Sequence, residues 1–173
     1  MIRMKKKQFA TATAPNKSIK VVLAEDNASF RRSLKSLIEE EGDIEVVGEA
    51  KNGLQAVRLA EKLRPEVVVA DIAMPIMNGL EATRQIIKQF PSTRVLVLSA
   101  HSEPEYIKQA VQSGASGYLI KQSLPQVLSQ AIREVAKGNS FFCAPISKPL
   151  RDRCRKAFGK GELEKKRMAL LVA

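Results

Sequence analysis

The sequence of 173 residues contains no tryptophan, one histidine and two cysteines, and only 5% of its residues are aromatic. Cys143 and Cys154 have neither the spacing of metal ligands nor a histidine nearby, so we expect two reduced thiols in a cytoplasmic protein. No apolar run is long enough to cross a membrane. The polar stretch 9–16 is too short to be the apolar part of a signal peptide. These absences exclude a disulfide scaffold and predict no membrane contact.

Acidic residues are scarce at both ends of the chain, which has a net charge of +11. Residues 1–18 carry five basic and no acidic side chains, and residues 133–173 carry 11 basic and four acidic ones. Basic ends can bind nucleic acid through counterion release, although such charge runs are more often solvated tails. We therefore predict a disordered basic arm at 1–18, one folded domain at 19–138, and a basic linker or tail at 139–173, compatible with partial helix.

Short apolar runs alternate with helical spacing through the middle of the chain. The runs predicted as strands are 19–24, 44–48, 67–71, 94–98 and 116–120. Apolar residues at helical spacing follow each of them. This alternation predicts an α/β fold with a doubly wound, five-stranded, mostly parallel sheet and helices on both faces. Residues 141–145 lie beyond the last helix and are interpreted as a loop.

Polar side chains of complementary kinds stand where four of these strands end. Glu25 and Asp26 follow the first strand, Asp71 ends the third, Ser99 follows the fourth and Lys121 follows the fifth. Because the carboxyl ends of parallel strands share one edge, we expect these side chains to meet in one cleft. Three carboxylates so close together need a cation, and Mg²⁺ prefers oxygen ligands. A lysine and a hydroxyl beside them would bind a phosphoryl group, with Asp71 as the nucleophile.

Each of these residues also has a simpler explanation. Glu25, Asp26 and Ser99 could cap helices, Asp71 could cap a turn, and Lys121 could be a solvated surface lysine. These explanations must together account for four independent strand ends with complementary chemistry, so we favour a shared site.

The single histidine, His101, lies two residues after Ser99. We interpret it as an exposed loop residue rather than a general base, because nothing in the sequence supports the geometry that a base requires.

Residues 19–138 resemble a two-component response-regulator receiver domain. The resemblance rests on motifs that occur in the family's order, namely Glu25-Asp26, Asp71, Met74-Pro75…Asn78-Gly79, Ser99, Tyr118 and Lys121. It implies a flavodoxin-like fold with strand order 2-1-3-4-5.

The resemblance also implies the metal site. Asp71 would be the phosphoacceptor, Asp26 would bind Mg²⁺ directly, and Glu25 would act mainly through water. The carboxylate of Asp71 and the backbone carbonyl of Ala73 would be further ligands.

Three other residues would respond to the phosphoryl group. Ser99 would donate a hydrogen bond to it and Lys121 would pair with its charge. Tyr118 would be the rotamer switch that reports phosphorylation to the surface formed by the fourth helix, fifth strand and fifth helix. The alternative for Tyr118 is an aromatic side chain that only packs on its strand.

Gln122 stands where many receivers have proline after the lysine. Together with segment 131–138 it resembles the nitrate-regulator class, whose receivers usually precede a LuxR-type helix-turn-helix DNA-binding domain. Only 35 residues follow Gly138, so we expect DNA contact only through an output domain outside this sequence. The implied partners are a sensor histidine kinase and, on phosphorylation, a second copy of the chain. The implied role is transcription regulation by a regulatory phosphoacceptor, not by an enzyme.

Two other functions are compatible with parts of the sequence. A Mg²⁺-dependent phosphohydrolase of the haloacid-dehalogenase type would need an Asp-x-Asp motif, which Asp71-Ile72-Ala73 lacks. The basic ends alone could bind nucleic acid in a salt-sensitive way, but without a recognition helix we expect no sequence-specific binding.

Overall fold

All strands in the described part of the chain, residues 17–143 of this computed structural model, belong to one parallel sheet. The strands are β1 (Ile19–Ala24), β2 (Ile44–Ala50), β3 (Val67–Asp71), β4 (Arg94–Ser99), β5 (Gly117–Ile120) and β6 (Phe141–Cys143). The helices are α1 (Ala28–Glu39), α2 (Gly53–Leu63), α3 (Gly79–Gln89), α4 (Pro104–Gln112) and α5 (Leu124–Ala136). A 3₁₀ turn at Lys121–Ser123 joins β5 to α5.

The strands lie in the order β2-β1-β3-β4-β5-β6. The predicted α/β fold and the strand order 2-1-3-4-5 are therefore confirmed, with β2 at one edge. The predicted number of five strands is too low, and the interpretation of Phe141–Cys143 as a loop is wrong, because these residues pair in parallel with β5.

The sheet has a buried core on each face. Helices α2, α3 and α4 cover one face, where they pack on residues such as Val68 and Ala70. Helices α1 and α5 cover the other face, where they pack on residues such as Val67 and Val69. All five residues of β3 are buried. A strand that is covered on both faces needs apolar residues throughout, which is why its sequence is a continuous run rather than an alternating one.

Three asparagines begin helices directly after strands or short loops. The side chains of Asn27, Asn52 and Asn78 each accept a hydrogen bond of 2.9 Å from a backbone N–H three residues later. Such caps satisfy backbone donors that the helix itself leaves unpaired. They fix where α1, α2 and α3 begin, and hence the loops at the carboxyl edge of the sheet.

The turn after α5 explains why the chain returns to the sheet. Gly138 has a φ of +92°, and the backbone N–H groups of Gly138 and Asn139 donate to Val135 and Glu134 at 2.9 and 3.0 Å. This pattern is a Schellman motif, in which the residue after the helix adopts the left-handed conformation. The side-chain amide of Asn139 also donates to the Glu134 carboxylate at 2.8 Å. The turn therefore sets the direction in which β6 begins.

The predictions for the ends of the chain remain largely untested. Residues 1–16 and 144–173 lie outside the described residues, so the disordered arm and most of the predicted tail stay predictions. Strand β6 lies beyond the domain boundary that we predict at Gly138. Within residues 17–143, no helix has the length and apolar character that a membrane span requires.

An ion pair joins α5 to the loop before β2. Arg133 donates from Nε and Nη2 to the two carboxylate oxygens of Asp43 at 2.7 and 2.8 Å, and it also contacts Glu41. The hydrogen bonds from Arg133 hold the pKa of Asp43 below its ordinary value. A lowered carboxyl pKa gives stability that is complete above the unfolded pKa, about 4 for aspartate, and is lost as the pH falls through the folded value.

We predict that Asp43→Asn lowers the melting temperature by a few degrees at neutral pH. This difference should disappear in acid, as the pH falls through the lowered pKa of Asp43 and the wild-type carboxylate is itself protonated. Thermal unfolding followed by circular dichroism across this pH range measures the effect. Glu45→Gln is the matched control, since Glu45 accepts a hydrogen bond from the Ser18 hydroxyl rather than from an arginine. A difference for Asp43→Asn that stays constant with pH would contradict the assignment.

Candidate functional site

Three carboxylates meet at the carboxyl edge of the sheet. Asp71 ends β3, and Glu25 and Asp26 follow the neighbouring strand β1. One carboxylate oxygen from each lies within 4.8 Å of the others. Glu25 and Asp71 are only 1% and 4% exposed, whereas Asp26 is exposed. The arrangement is therefore a buried acidic pair with a third carboxylate at the solvent side.

Lys121 bridges the two buried carboxylates. Its Nζ lies 2.9 Å from Glu25 Oε2 and 3.2 Å from Asp71 Oδ1. The same ammonium lies 4.8 Å from the centre of the Phe30 ring, close enough for a cation–π interaction. Lys121 is therefore not the solvated surface lysine of the simpler explanation.

The lysine does not fully compensate the buried charge. Burial raises the pKa of Glu25 and of Asp71 above their ordinary values, although the hydrogen bonds and charge of Lys121 oppose this shift. Burial also opposes the charged form of Lys121, but its hydrogen bond to Glu25 and the charge of Asp71 leave its pKa raised. The lysine thus stays charged beside two carboxylates that would accept more positive charge.

A buried arginine fixes the turn that carries Glu25. Arg31 of α1 donates from Nη1 to the Glu25 carbonyl at 2.7 Å, and its Nε lies 3.1 Å from the Glu49 carboxylate. The Glu25 side chain also accepts a hydrogen bond of 3.1 Å from the backbone N–H of Asn27. Sequence reasoning missed Arg31, because an arginine among helical residues normally indicates a solvated face.

The loop after β3 brings the backbone close to Asp71. A Cβ atom on Gly79 would overlap the Asp71 carbonyl, so only glycine lets α3 begin against the end of the strand. The backbone N–H of the exposed Ala73 donates to the Asp71 carboxylate. Ile76 has a φ of +69° and is 80% exposed, which is unusual for a β-branched residue. Strain of this kind occurs mostly at functional loops.

Ser99 and Tyr118 are connected through one loop residue. The Ser99 hydroxyl accepts a hydrogen bond of 3.0 Å from the His101 N–H, and the Tyr118 hydroxyl donates to the His101 carbonyl at 2.7 Å. Ser99 and Tyr118 are both buried. Burial raises the pKa of Tyr118, and a hydrogen bond with Ser99 opposes that shift. These contacts link the hydroxyl at the end of β4 to the aromatic side chain on β5.

His101 is exposed, as predicted, and its ring stacks on Tyr106 of α4 with centroids 4.2 Å apart. Its contacts with Ser99 and Tyr118 are made by the backbone. No side-chain pattern in the sequence could have indicated them.

The register of the sheet brings these groups to one edge. Asp71 pairs with Leu98, the residue before Ser99, and Ser99 pairs with Ile120, the residue before Lys121. The predicted residues Glu25, Asp26, Asp71, Ser99 and Lys121 therefore all stand at the carboxyl end of the sheet.

Fold and site together define a class of protein. The chain belongs to the response regulator receiver domain family, whose sequence profile matches residues 21–133. The predicted family is confirmed. Receiver domains are regulatory rather than classical enzymes, and they bind Mg²⁺ at an acidic site.

Particular relatives agree with this membership. The chain is 36% identical over 146 residues to the transcriptional regulatory protein DegU of Brevibacillus brevis, covering 84% of this chain and 62% of DegU. The fold matches the signal receiver domain of NarL from Mycobacterium tuberculosis with a TM-score of 0.69 and 35% identity, over 71% of this chain and 99% of that domain. It matches a LuxR-family two-component response regulator from Aurantimonas sp. SI85-9A1 with a TM-score of 0.71 and 30% identity, over 80% and 96% of the two chains.

The chain spans less than two thirds of the length of DegU and of two Bacillus subtilis regulators, YhcZ and YxjL, that it also matches. The resemblance to receivers that occur with LuxR-type output domains is confirmed by these relatives and structures.

We predict that Asp71→Asn raises the melting temperature by a few degrees in metal-free buffer at neutral pH. The asparagine keeps the shape of the side chain and removes one of two buried negative charges, while Lys121 keeps its bond to Glu25. Thermal unfolding with and without Mg²⁺ measures this, and Mg²⁺ should stabilise the wild type far more than the variant.

Asp26→Asn is the control for that experiment. Because Asp26 is exposed, its replacement should leave the metal-free melting temperature almost unchanged and should still weaken the effect of Mg²⁺. A lower metal-free melting temperature for Asp71→Asn would show that its pairing with Lys121 outweighs the cost of burial.

Proposed function

We propose that this chain is the receiver module of a transcription regulator and that Asp71 accepts a phosphoryl group from a sensor histidine kinase. The observation that carries the proposal is the buried bridge from Glu25 through Lys121 to Asp71, which leaves a carboxylate and an ammonium side by side. Family membership and the regulatory names of the relatives support it. In this proposal the receiver controls dimerisation or a DNA-binding output domain outside this sequence.

The acidic cluster fits Mg²⁺. Glu25, Asp26 and Asp71 offer three hard oxygen donors close together, and the raised pKa of both buried carboxyls indicates incomplete compensation of their charge. Asp26, Asp71 and the Ala73 carbonyl would hold the ion directly, and Glu25 would act mainly through water because Lys121 and Asn27 already hold its two oxygens. When bound, Mg²⁺ neutralises charge on the phosphoryl oxygens.

In the transfer step, a carboxylate oxygen of Asp71 attacks the phosphorus atom of a phosphohistidine on the kinase. The new P–O bond forms as the P–N bond breaks, and the imidazole nitrogen leaves with the electron pair. Lys121 pairs with the phosphoryl oxygens, since its ammonium already lies 3.2 Å from Asp71. Pre-positioned charge of this kind stabilises the transition state without reorganisation. Hydrolysis of the acyl phosphate returns Asp71 to its free carboxylate.

Ser99 and Tyr118 respond to the phosphoryl group on Asp71. The Ser99 hydroxyl turns to donate to the phosphoryl group, and the loop that carries His101 follows it. The Tyr118 hydroxyl donates to the His101 carbonyl and stabilises the loop in the position that it then takes, so phosphorylation favours the buried placement of Tyr118. This is a shift between two populations of the domain rather than a new fold.

We predict that acetyl phosphate with Mg²⁺ adds one phosphoryl group to the purified protein, detected by intact-mass spectrometry. Asp71→Ala or a chelator should abolish the adduct. Lys121→Ala should slow its formation by about a hundredfold, the size of effect found when one stabilising group is removed from an active site.

Asp43→Asn is the matched control, because it removes a carboxylate at Arg133, outside the acidic cluster, and should leave the phosphorylation rate unchanged. An adduct that persists in Asp71→Ala, or none in the wild type, would contradict the proposal. Multiple turnovers of a simple phosphate ester would instead indicate a phosphohydrolase.

A further inference from the structure

We infer that Phe142 of β6 is a positioning residue for Tyr118, so that the switch extends past α5 into the sixth strand. The inference rests on the proposed function, because it concerns the side chain that reads phosphorylation. The juxtaposition that carries it is the pairing of Tyr118 with Phe142 across β5 and β6.

Phe142 and Tyr118 lie side by side on one face of the sheet. Paired residues of neighbouring strands project to the same side, and both side chains belong to one buried cluster, with exposed fractions of 5% and 0%. Ile107 and Ala110 of α4 belong to the same cluster. Phe142 thus helps to fill the layer between β5 and α4 in which Tyr118 is buried.

Among the described residues, β6 pairs with one strand, β5, so its attachment is sensitive to what lies beside it. Three residues of the strand lie within the described range, and the Phe141 N–H donates to the Ser116 carbonyl at 3.1 Å. A Cβ atom on Gly117 would come within 2.5 Å of the Phe141 carbonyl oxygen, so the strand can approach only because residue 117 is glycine. A segment with few buried contacts opens locally at a lower free-energy cost than the centre of a sheet.

Phosphoryl binding and the Phe142 contact therefore favour the same state. When phosphorylation holds Tyr118 in the core, Phe142 has a complete surface to pack against. When Tyr118 leaves, that surface is lost and β6 is held less firmly. Coupling between two sites is reciprocal. The factor by which the Phe142 contact strengthens phosphoryl binding at Asp71 therefore equals the factor by which that binding favours the paired state of β6.

The chain offers a matched pair of variants for the test. Phe141 and Phe142 are neighbours on β6 with exposed fractions of 6% and 5%, but Phe141 packs in the opposite core with residues of α5. Truncating either phenylalanine leaves a comparable cavity, whereas only Phe142→Ala removes the contact beside Tyr118.

The measurement uses the full chain and the phosphoryl mimic beryllofluoride with Mg²⁺. The sequence has two tyrosines and no tryptophan, so in a Tyr106→Phe background the intrinsic fluorescence reports Tyr118 alone. We expect Phe142→Ala to weaken beryllofluoride binding about fivefold or more, the lower end of usual coupling factors, and Phe141→Ala to change it by about twofold or less.

Hydrogen exchange of the β6 amides in the unsubstituted protein is the second measurement. Beryllofluoride should slow exchange at residues 141–143. Equal affinities in the two alanine variants, or exchange in β6 that beryllofluoride does not change, would overturn the inference while the proposed function stands. Failure of the unsubstituted protein to bind beryllofluoride would overturn both. If Phe142→Ala does not fold, Phe142→Leu against Phe141→Leu provides the same comparison.

Discussion

The cost of burying Glu25 and Asp71 together is the constraint on which this structure depends. Two carboxylates out of water are tolerable only with a cation in contact, and in the described residues Lys121 supplies it from 96 positions away in the sequence. The sheet must therefore bring the ends of β1, β3 and β5 to one edge. Loss of Lys121 would leave both carboxylates without a cation, and a buried charge left uncompensated costs about 3–5 kcal/mol, a large share of the stability of a typical domain.

Most of the fold could be predicted because it is encoded locally. The run that ends at Asp71 is apolar because both faces of β3 are covered, and helical spacing resumes after one loop. Strand β6 could not be predicted in this way. Three residues show no clear period, and their pairing depends on Gly117, more than twenty residues earlier, and on the turn at Gly138. The information is present in the chain but is spread over segments that meet only in the folded state.

The candidate site divides in the same way. Its charged residues could be predicted, because each stands where an apolar run ends in the sequence. Parallel topology then brings the ends of those strands to one edge of the sheet. Its supporting contacts could not. The role of His101 belongs to its backbone carbonyl, which no side-chain pattern indicates, and the buried Arg31 looks like an ordinary surface arginine of a helix. The left-handed conformation of Ile76 runs against the preference of its residue type, so only tertiary structure can impose it.

Residues 117–121, at the end of β5, make contacts both with β6 and with the acidic cluster. Gly117 admits β6, Tyr118 packs in the core with Phe142 and bonds to the loop of His101, and Lys121 neutralises the buried carboxylates. A closely packed strand cannot deform gradually, because packed interiors have few alternative arrangements. In the proposed function, a change in what Lys121 and Ser99 bind at the edge would then appear as a change between discrete placements of Tyr118. The two-state element of that proposal is Tyr118, and Phe142 is the residue that pairs with it on β6.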